Sequence, residues 1–129
     1  MIDIREIVKE RILVLDGAMG TMIQRYGLTE EDYRGTRFRA LPIMQRGNND
    51  LLPLTRPDII SDIHRKYLEA GADMIETCSF CAQRVSMADY GLENYCREMN
   101  LAAAKVARQV ADEFTDRNPD KPRFVAGSI

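Results

Sequence analysis

The sequence lacks the features that mark most specialised classes of chain. No apolar run approaches the ~20 residues that span a bilayer, so no membrane segment is expected. The N-terminal Met1-Ile2-Asp3-Ile4-Arg5-Glu6 is charged from its third residue and has no apolar signal core. A cytoplasmic chain is expected. Neither charge sign dominates: the formal net charge is −2, which leaves no basic footprint for nucleic acid and no polybasic membrane patch. Three cysteines in 129 residues are too few for a disulfide framework. The composition that remains, 45% apolar and 29% charged, is ordinary for a globular chain of one domain, or part of a larger one.

The stretch Arg11–Thr21 organises the rest. Ile12-Leu13-Val14-Leu15 ends abruptly in Asp16, Gly17, Ala18, Met19, Gly20 and Thr21. An unbroken aliphatic run has no solvent face, so a parallel strand covered on both sides is expected. Asp16 then stands at the rim, where a carboxylate meets a ligand, and Gly17 and Gly20 let the backbone turn tightly. By themselves the residues fit a strand followed by a plain turn equally well.

Before this run, Ile4–Glu10 reads as a short amphipathic leader helix. After it, Met19, Met22, Ile23 and Tyr26 recur at helical spacing, with Gly27 as the stop. From Leu28 to Pro53 the period dissolves. Thr29 and Asp32 have capping-box spacing, but the rest reads as a loop long enough to imply a lid or a functional segment. Arg34, Arg37, Arg39 and Arg46 give it positive charge, either a solvated surface or a grip on an anionic substrate. Thr55 as cap, Pro57 and Asp58 then start a helix whose buried face carries Ile59, Ile60, Ile63, Tyr67 and Leu68. His64, the single histidine, lies on its flank and reads as structural packing.

Gly71 ends that helix, and Met74-Ile75-Glu76-Thr77 forms a second strand that again finishes in polar groups, Thr77, Cys78 and Ser79. Two strands with polar carboxyl ends direct both toward one site. Leu92–Thr115 is the clearest helix, with Leu92, Cys96, Met99, Ala103, Val106, Val110 and Phe114 on its apolar face. Phe124–Gly127 begins a third strand. The alternation carries no hairpin signal and predicts an α/β fold of parallel strands with right-handed crossovers. Because Gly17 and Gly20 give only Gly-x-x-Gly, a dinucleotide fold is disfavoured. About three βα units of a (βα)8 TIM barrel fit better, with residues 1–10 as leader and 11–129 as the first units. Ending at a strand's rim reads as truncation, and its unpaired strand edges call for cover by self-association or by a missing half.

Asp16-Gly17-Ala18-Met19-Gly20-Thr21-Met22-Ile23-Gln24, Arg46-Gly47-Asn48-Asn49-Asp50-Leu51-Leu52, Leu54-Thr55-Arg56-Pro57-Asp58-Ile59-Ile60, the run from His64 to Asp73 and Ala88-Asp89-Tyr90-Gly91-Leu92-Glu93 together carry a resemblance. The sequence resembles the homocysteine S-methyltransferase family, and within it the homocysteine-binding module of cobalamin-dependent methionine synthases. The match runs from about Arg11 to the last residue. It implies a (βα)8 barrel that binds homocysteine and activates its sulfur as a zinc thiolate, for methyl transfer from methylcobalamin to give methionine. Binding zinc lowers the pKa of a thiol from near ~8.5, which supplies the nucleophile at neutral pH.

Carried over from the family, Asp16 accepts from the substrate ammonium, with Gly17, Ala18, Thr77 and Cys78 near its polar end. The family's three zinc cysteines stand at the ends of later strands, beyond Ile129. No catalytic residue or metal ligand is therefore expected here, and neither zinc nor cobalamin is expected to be bound by these 129 residues alone. The expected partners are homocysteine and the downstream folate, cobalamin and activation modules of a full-length enzyme, with no nucleic acid and no membrane. One departure stands out: where the family usually reads Asn-Thr-Phe, this chain reads Cys78-Ser79-Phe80, followed by Cys81. A thiol at 78 loses the two-sided hydrogen bonding of an amide. The leading expectation is a methyltransferase portion inactive alone. Its alternatives are a non-catalytic self-associating half-barrel and a thiol redox or metal site on Cys78 and Cys81.

Overall fold

The computed structural model describes residues 2–129. Asp3 caps the leader helix α1 (Ile4–Glu10) by accepting from the Arg5 amide at 2.9 Å. None of α1 is buried. The aliphatic run then lies parallel to β1 (Met74–Glu76), joined by one isolated bridge, Leu15 to Met74. On its other side β1 pairs in parallel with β2 (Phe124–Ala126), in the register Met74–Phe124, Ile75–Val125 and Glu76–Ala126. The parallel order expected from the alternation is therefore present, with β1 in the middle.

The first run departs from its expectation of cover on both faces. Ile12 is 88% exposed, and Val14 and Leu15 are exposed as well. Among the described residues it has a strand neighbour on one side only, so it makes one bridge and no extended ladder. Its backbone is instead held by Asp73. The Asp73 carboxylate accepts from the Val14 amide at 2.9 Å and from Arg11 at 2.8 Å, while the Asp73 amide donates to Val14 O at 2.8 Å.

One face of β1 is packed by helices. Ile75 is fully buried against Leu68 of α5 (Pro57–Glu69) and against Ala107, Val110 and Ala111 of α7 (Cys96–Arg117). Met74 and Glu76, one position either side, point away from that face. The buried stripe of α7 runs through Ala103, Ala107 and Ala111, while Val106 and Phe114 are only half-buried. Small residues let α7 approach α5 and the sheet closely, and a reading that favours large apolar side chains passes over them. The helix begins at Cys96; before it come the short α6 (Arg84–Ala88) and a single 3₁₀ turn, Glu93–Tyr95.

The segment expected to be one long loop is organised. The capping box is formed: Thr29 Oγ1 accepts from the Asp32 amide and Asp32 accepts from the Thr29 amide, opening α3 (Glu30–Arg34). Glu30 then accepts from the amides of Gln45 and Arg46, each at 2.6 Å, and Arg34 donates to the carbonyls of Leu41 and Ile43. These two side chains gather an irregular stretch that forms few bonds of its own. A 3₁₀ turn (Asn49–Leu51) leads into α4 (Leu52–Thr55). Thr55 closes α4 with its hydroxyl toward Leu51 O, so it does not cap α5; Arg56 occupies that position, without a side-chain cap, and Pro57 starts the helix.

Candidate functional site

The carboxyl end of the first run, the loop after β1 and the Gly47–Asp50 segment enclose a cleft of about 710 Å³. It lies where the ends of parallel strands in an α/β sheet leave room for a ligand. The five expected substrate residues, Asp16, Gly17, Ala18, Thr77 and Cys78, all line it.

Asp16 is placed by β1. Its amide donates to Met74 O at 2.9 Å and its Oδ2 accepts from the Glu76 amide at 3.1 Å. Its Oδ1 is buried and has no hydrogen-bond partner among the described residues. Burial pushes the carboxyl up to about 6; the Glu76 amide opposes this, and the Glu76 carboxylate beside it adds to the rise. The geometry thus leaves one carboxylate oxygen without a donor, in a cleft, on a group whose pKa burial raises to about 6.

Gly17 is crowded by a neighbour. A Cβ there would lie 3.2 Å from the Tyr67 hydroxyl, which donates to Ala18 O at 2.9 Å. Tyr67 was legible only as part of the apolar face of its helix; its hydroxyl also fixes the turn that carries Ala18 into α2 (Met19–Gln24). Thr77 is buried, and its hydroxyl is already engaged, 2.7 Å from Ser79 Oγ and accepting from the Ser128 amide at 3.0 Å. It shapes the wall of the cleft through these bonds.

Cys78 is 4% exposed. Its S–H faces Asn49 O at 3.5 Å and Asp50 Oδ1 at 3.7 Å, and burial pushes the thiol well above the usual cysteine range, with the nearby Asp50 adding to it. Cys81 is exposed in the same cleft, and the two are free thiols. Asp50 itself, 7% exposed, has its pKa raised by burial, against the donors that hold it.

The Gly47-Asn48-Asn49-Asp50 segment is what residue-by-residue reading undervalued. It stood there as a break in periodicity, yet all four residues line the cleft. The available signal was the density of side chains that bond neighbouring backbone. The arginines fall outside the cleft: Arg34 ties loop carbonyls, Arg37 pairs with Glu98, and neither Arg39 nor Arg46 lines it. Arg34 and Arg39 instead line a separate hollow of about 320 Å³ with Arg56, where Glu31 and Asp32 offset their charge.

These observations meet the comparisons with known proteins at one point: the match to the homocysteine S-methyltransferase family covers residues 13–129. The chain belongs to that family. Among solved structures it is similar to the homocysteine methyltransferase MmuM from Escherichia coli. The metallated form superposes with a TM-score of 0.73 at 24% identity, covering 97% of this chain and 40% of that one. The oxidized form gives 0.72 at 24%, over 96% and 40%. The apo form gives 0.64 at 23%, over 97% and 39%. The chain thus spans about 40% of the length of the solved relatives it matches, and it has the fold of part of a (βα)8 barrel.

Within this family member, no three histidine, cysteine, aspartate or glutamate side chains converge among the described residues as a metal ion would need. Cys96 packs in the apolar cluster with Leu92 and Met99, and His64 is fully buried in α5. Neither ring nitrogen of His64 has a partner among the described residues, and burial lowers its pKa to about 4. The donors present among the described residues do not fit zinc. No described helix is long and apolar enough to cross a membrane.

Proposed function

We propose that this chain supplies the amino-acid end of a homocysteine site, with Asp16 as the acceptor for the substrate ammonium. The observation that carries this reading is the buried, unpartnered Oδ1 of Asp16 in the cleft at the strand ends. A carboxylate oxygen held away from water without a donor is costly until a cation or donor meets it. Gly17 and Ala18 bring backbone close to the same place, and Thr77 and Cys78 border it. The finer identity is a methionine synthase that takes its methyl group from methylcobalamin. It is supported by the Gly47–Leu52 and Ala88–Leu92 motifs, which resemble the cobalamin branch most closely. In that setting the zinc, cobalamin and folate chemistry belongs to residues and modules outside those described, and the present residues bind and orient the substrate.

Ammonium binding needs Asp16 ionised, so affinity rises as pH increases through about 6. Titration calorimetry with homocysteine at pH 7.5 tests this. Asp16→Asn is expected to weaken binding by about tenfold or more, the worth of a charge-assisted hydrogen bond, and to abolish the pH dependence near 6. Equal affinities for wild type and Asp16→Asn would overturn the assignment.

The exposed Ile12-Val14-Leu15 edge favours a second reading, a non-catalytic half-barrel that self-associates. Against a redox role for Cys78 and Cys81 stands the burial of Cys78, whose thiol is held neutral beside Asp50.

A further inference from the structure

Two walls of the cleft are held together at one carboxylate. The first wall, Gly47–Asp50, is anchored from behind: Tyr33 Oη donates to Asn49 Oδ1 at 2.9 Å, and Asn48 Nδ2 donates to Gln45 Oε1 at 3.2 Å. Gln45, fully buried, in turn donates to Tyr90 O at 2.9 Å. The second wall, Cys78–Cys81, has little such support. Its bonds to Thr77, Ala82 and Gln83 are internal to its own turn. The flanks of the turn are tied elsewhere, Thr77 to Ala126 and Ala82 to Asn100, but among the described residues the hydrogen bonds of Cys78–Cys81 themselves beyond the turn run to Asn49 and Asp50 alone. Asp50 Oδ2 accepts from the Cys81 amide at 2.5 Å, Oδ1 faces Cys78 Sγ at 3.7 Å, and Asn49 O faces the same thiol at 3.5 Å.

We propose that Asp50 is a positioning residue for the cleft, whose two carboxylate oxygens hold the Cys78–Cys81 wall against the Gly47–Asp50 wall. A carboxylate serves here because both groups that face it are donors, one N–H and one S–H. An amide has one acceptor oxygen and turns N–H donors toward one of them. The mate of this arrangement is Cys78: a thiol can donate into the carboxylate while filling an apolar space. Asp16 is positioned by Met74 and Glu76 instead, so loss of Asp50 loosens the far wall and leaves the Asp16 carboxylate where it is.

The experiment rests on the three thiols, and only its ligand arm rests on the homocysteine reading. The native chain is alkylated with iodoacetamide and each cysteine is followed by peptide mapping. In wild type the exposed Cys81 is expected to react fast, and the buried Cys78 and Cys96 slowly. In Asp50→Ala, Cys78 labelling is expected to rise by about tenfold or more, with Cys96 unchanged, because a local opening replaces a global one. Asp50→Asn, which keeps the volume and one acceptor, is expected to fall between. Homocysteine affinity should drop along the same series. If wild type takes up no homocysteine, the function reading fails and the labelling still decides the role of Asp50. Cys78 labelling unchanged in both variants would overturn the proposal. So would Cys78 and Cys96 rising together in both, since Asp50 would then support the whole fold.

Discussion

At the scale of single residues, two titrations of opposite sign share one pH window. Asp16 has a folded pKa of about 6 against an ordinary 3.8, so the folded state holds its proton more tightly and gains stability as pH falls through 6. Ionised Asp16 therefore costs the fold stability at neutral pH. Asp16→Asn is expected to stabilise the chain there by on the order of 1 kcal/mol, after allowing for partial solvation, while weakening the proposed ammonium contact. His64 acts the other way. Its folded pKa of about 4 lies below the ordinary 6.5, so its contribution is complete above 6.5 and is lost as pH falls toward 4. Denaturant midpoints from pH 7 to 4 separate the two: His64→Leu should flatten the fall, and Asp16→Asn should steepen it. The place of Asp16 at the rim of the sheet was legible in the sequence because a polar residue directly after an aliphatic run marks where that run leaves the core. The unpaired nitrogens of His64 were not, since pairing depends on neighbours that helical spacing does not name.

At the scale of elements, the strand-end chemistry depends on a tie at the opposite end. Asp73 binds Arg11 and the Val14 amide with a side chain only 2% exposed. The Arg11 guanidinium holds its carboxyl below the usual range, with the Val14 amide adding to this. That stability is complete above the ordinary value of 3.8 and is lost as pH falls through the depressed one. Asp73→Ala is expected to cost about 1 kcal/mol in a urea titration, because the Val14 amide and the part-exposed Arg11 guanidinium lose the carboxylate that ties them. The helices α5 and α7 were legible from their periodicity, and the Thr29–Asp32 capping box from its spacing. The gathering of residues 39–46 by Glu30 and Arg34 was hidden: charged side chains in an irregular segment look solvated until the backbone they serve is known. The displaced cap at Thr55 has a similar origin, since Leu51-Leu52-Pro53 start a short helix that takes Thr55 into its last turn.

At the scale of the molecule, the parallel order and one cleft at the strand ends followed from the alternation of elements. The exposure of the first run did not, because four aliphatic residues say that cover is needed without saying what gives it. An aliphatic edge with unpaired backbone is a template for another strand. Ile12→Lys is expected to shift any oligomer seen in sedimentation velocity toward monomer, and to leave homocysteine affinity unchanged because Ile12 does not line the cleft. Unchanged sedimentation in the variant would remove that edge as the contact. The bond from the Glu76 amide to Asp16 spans 60 residues of chain. Asp16 therefore acquires its orientation only after α5 has folded and delivered β1 beside it. On a ribosome the stretch that carries Asp16 leaves before the strand that orients it, and waits about half this chain's length for β1 to give it shape.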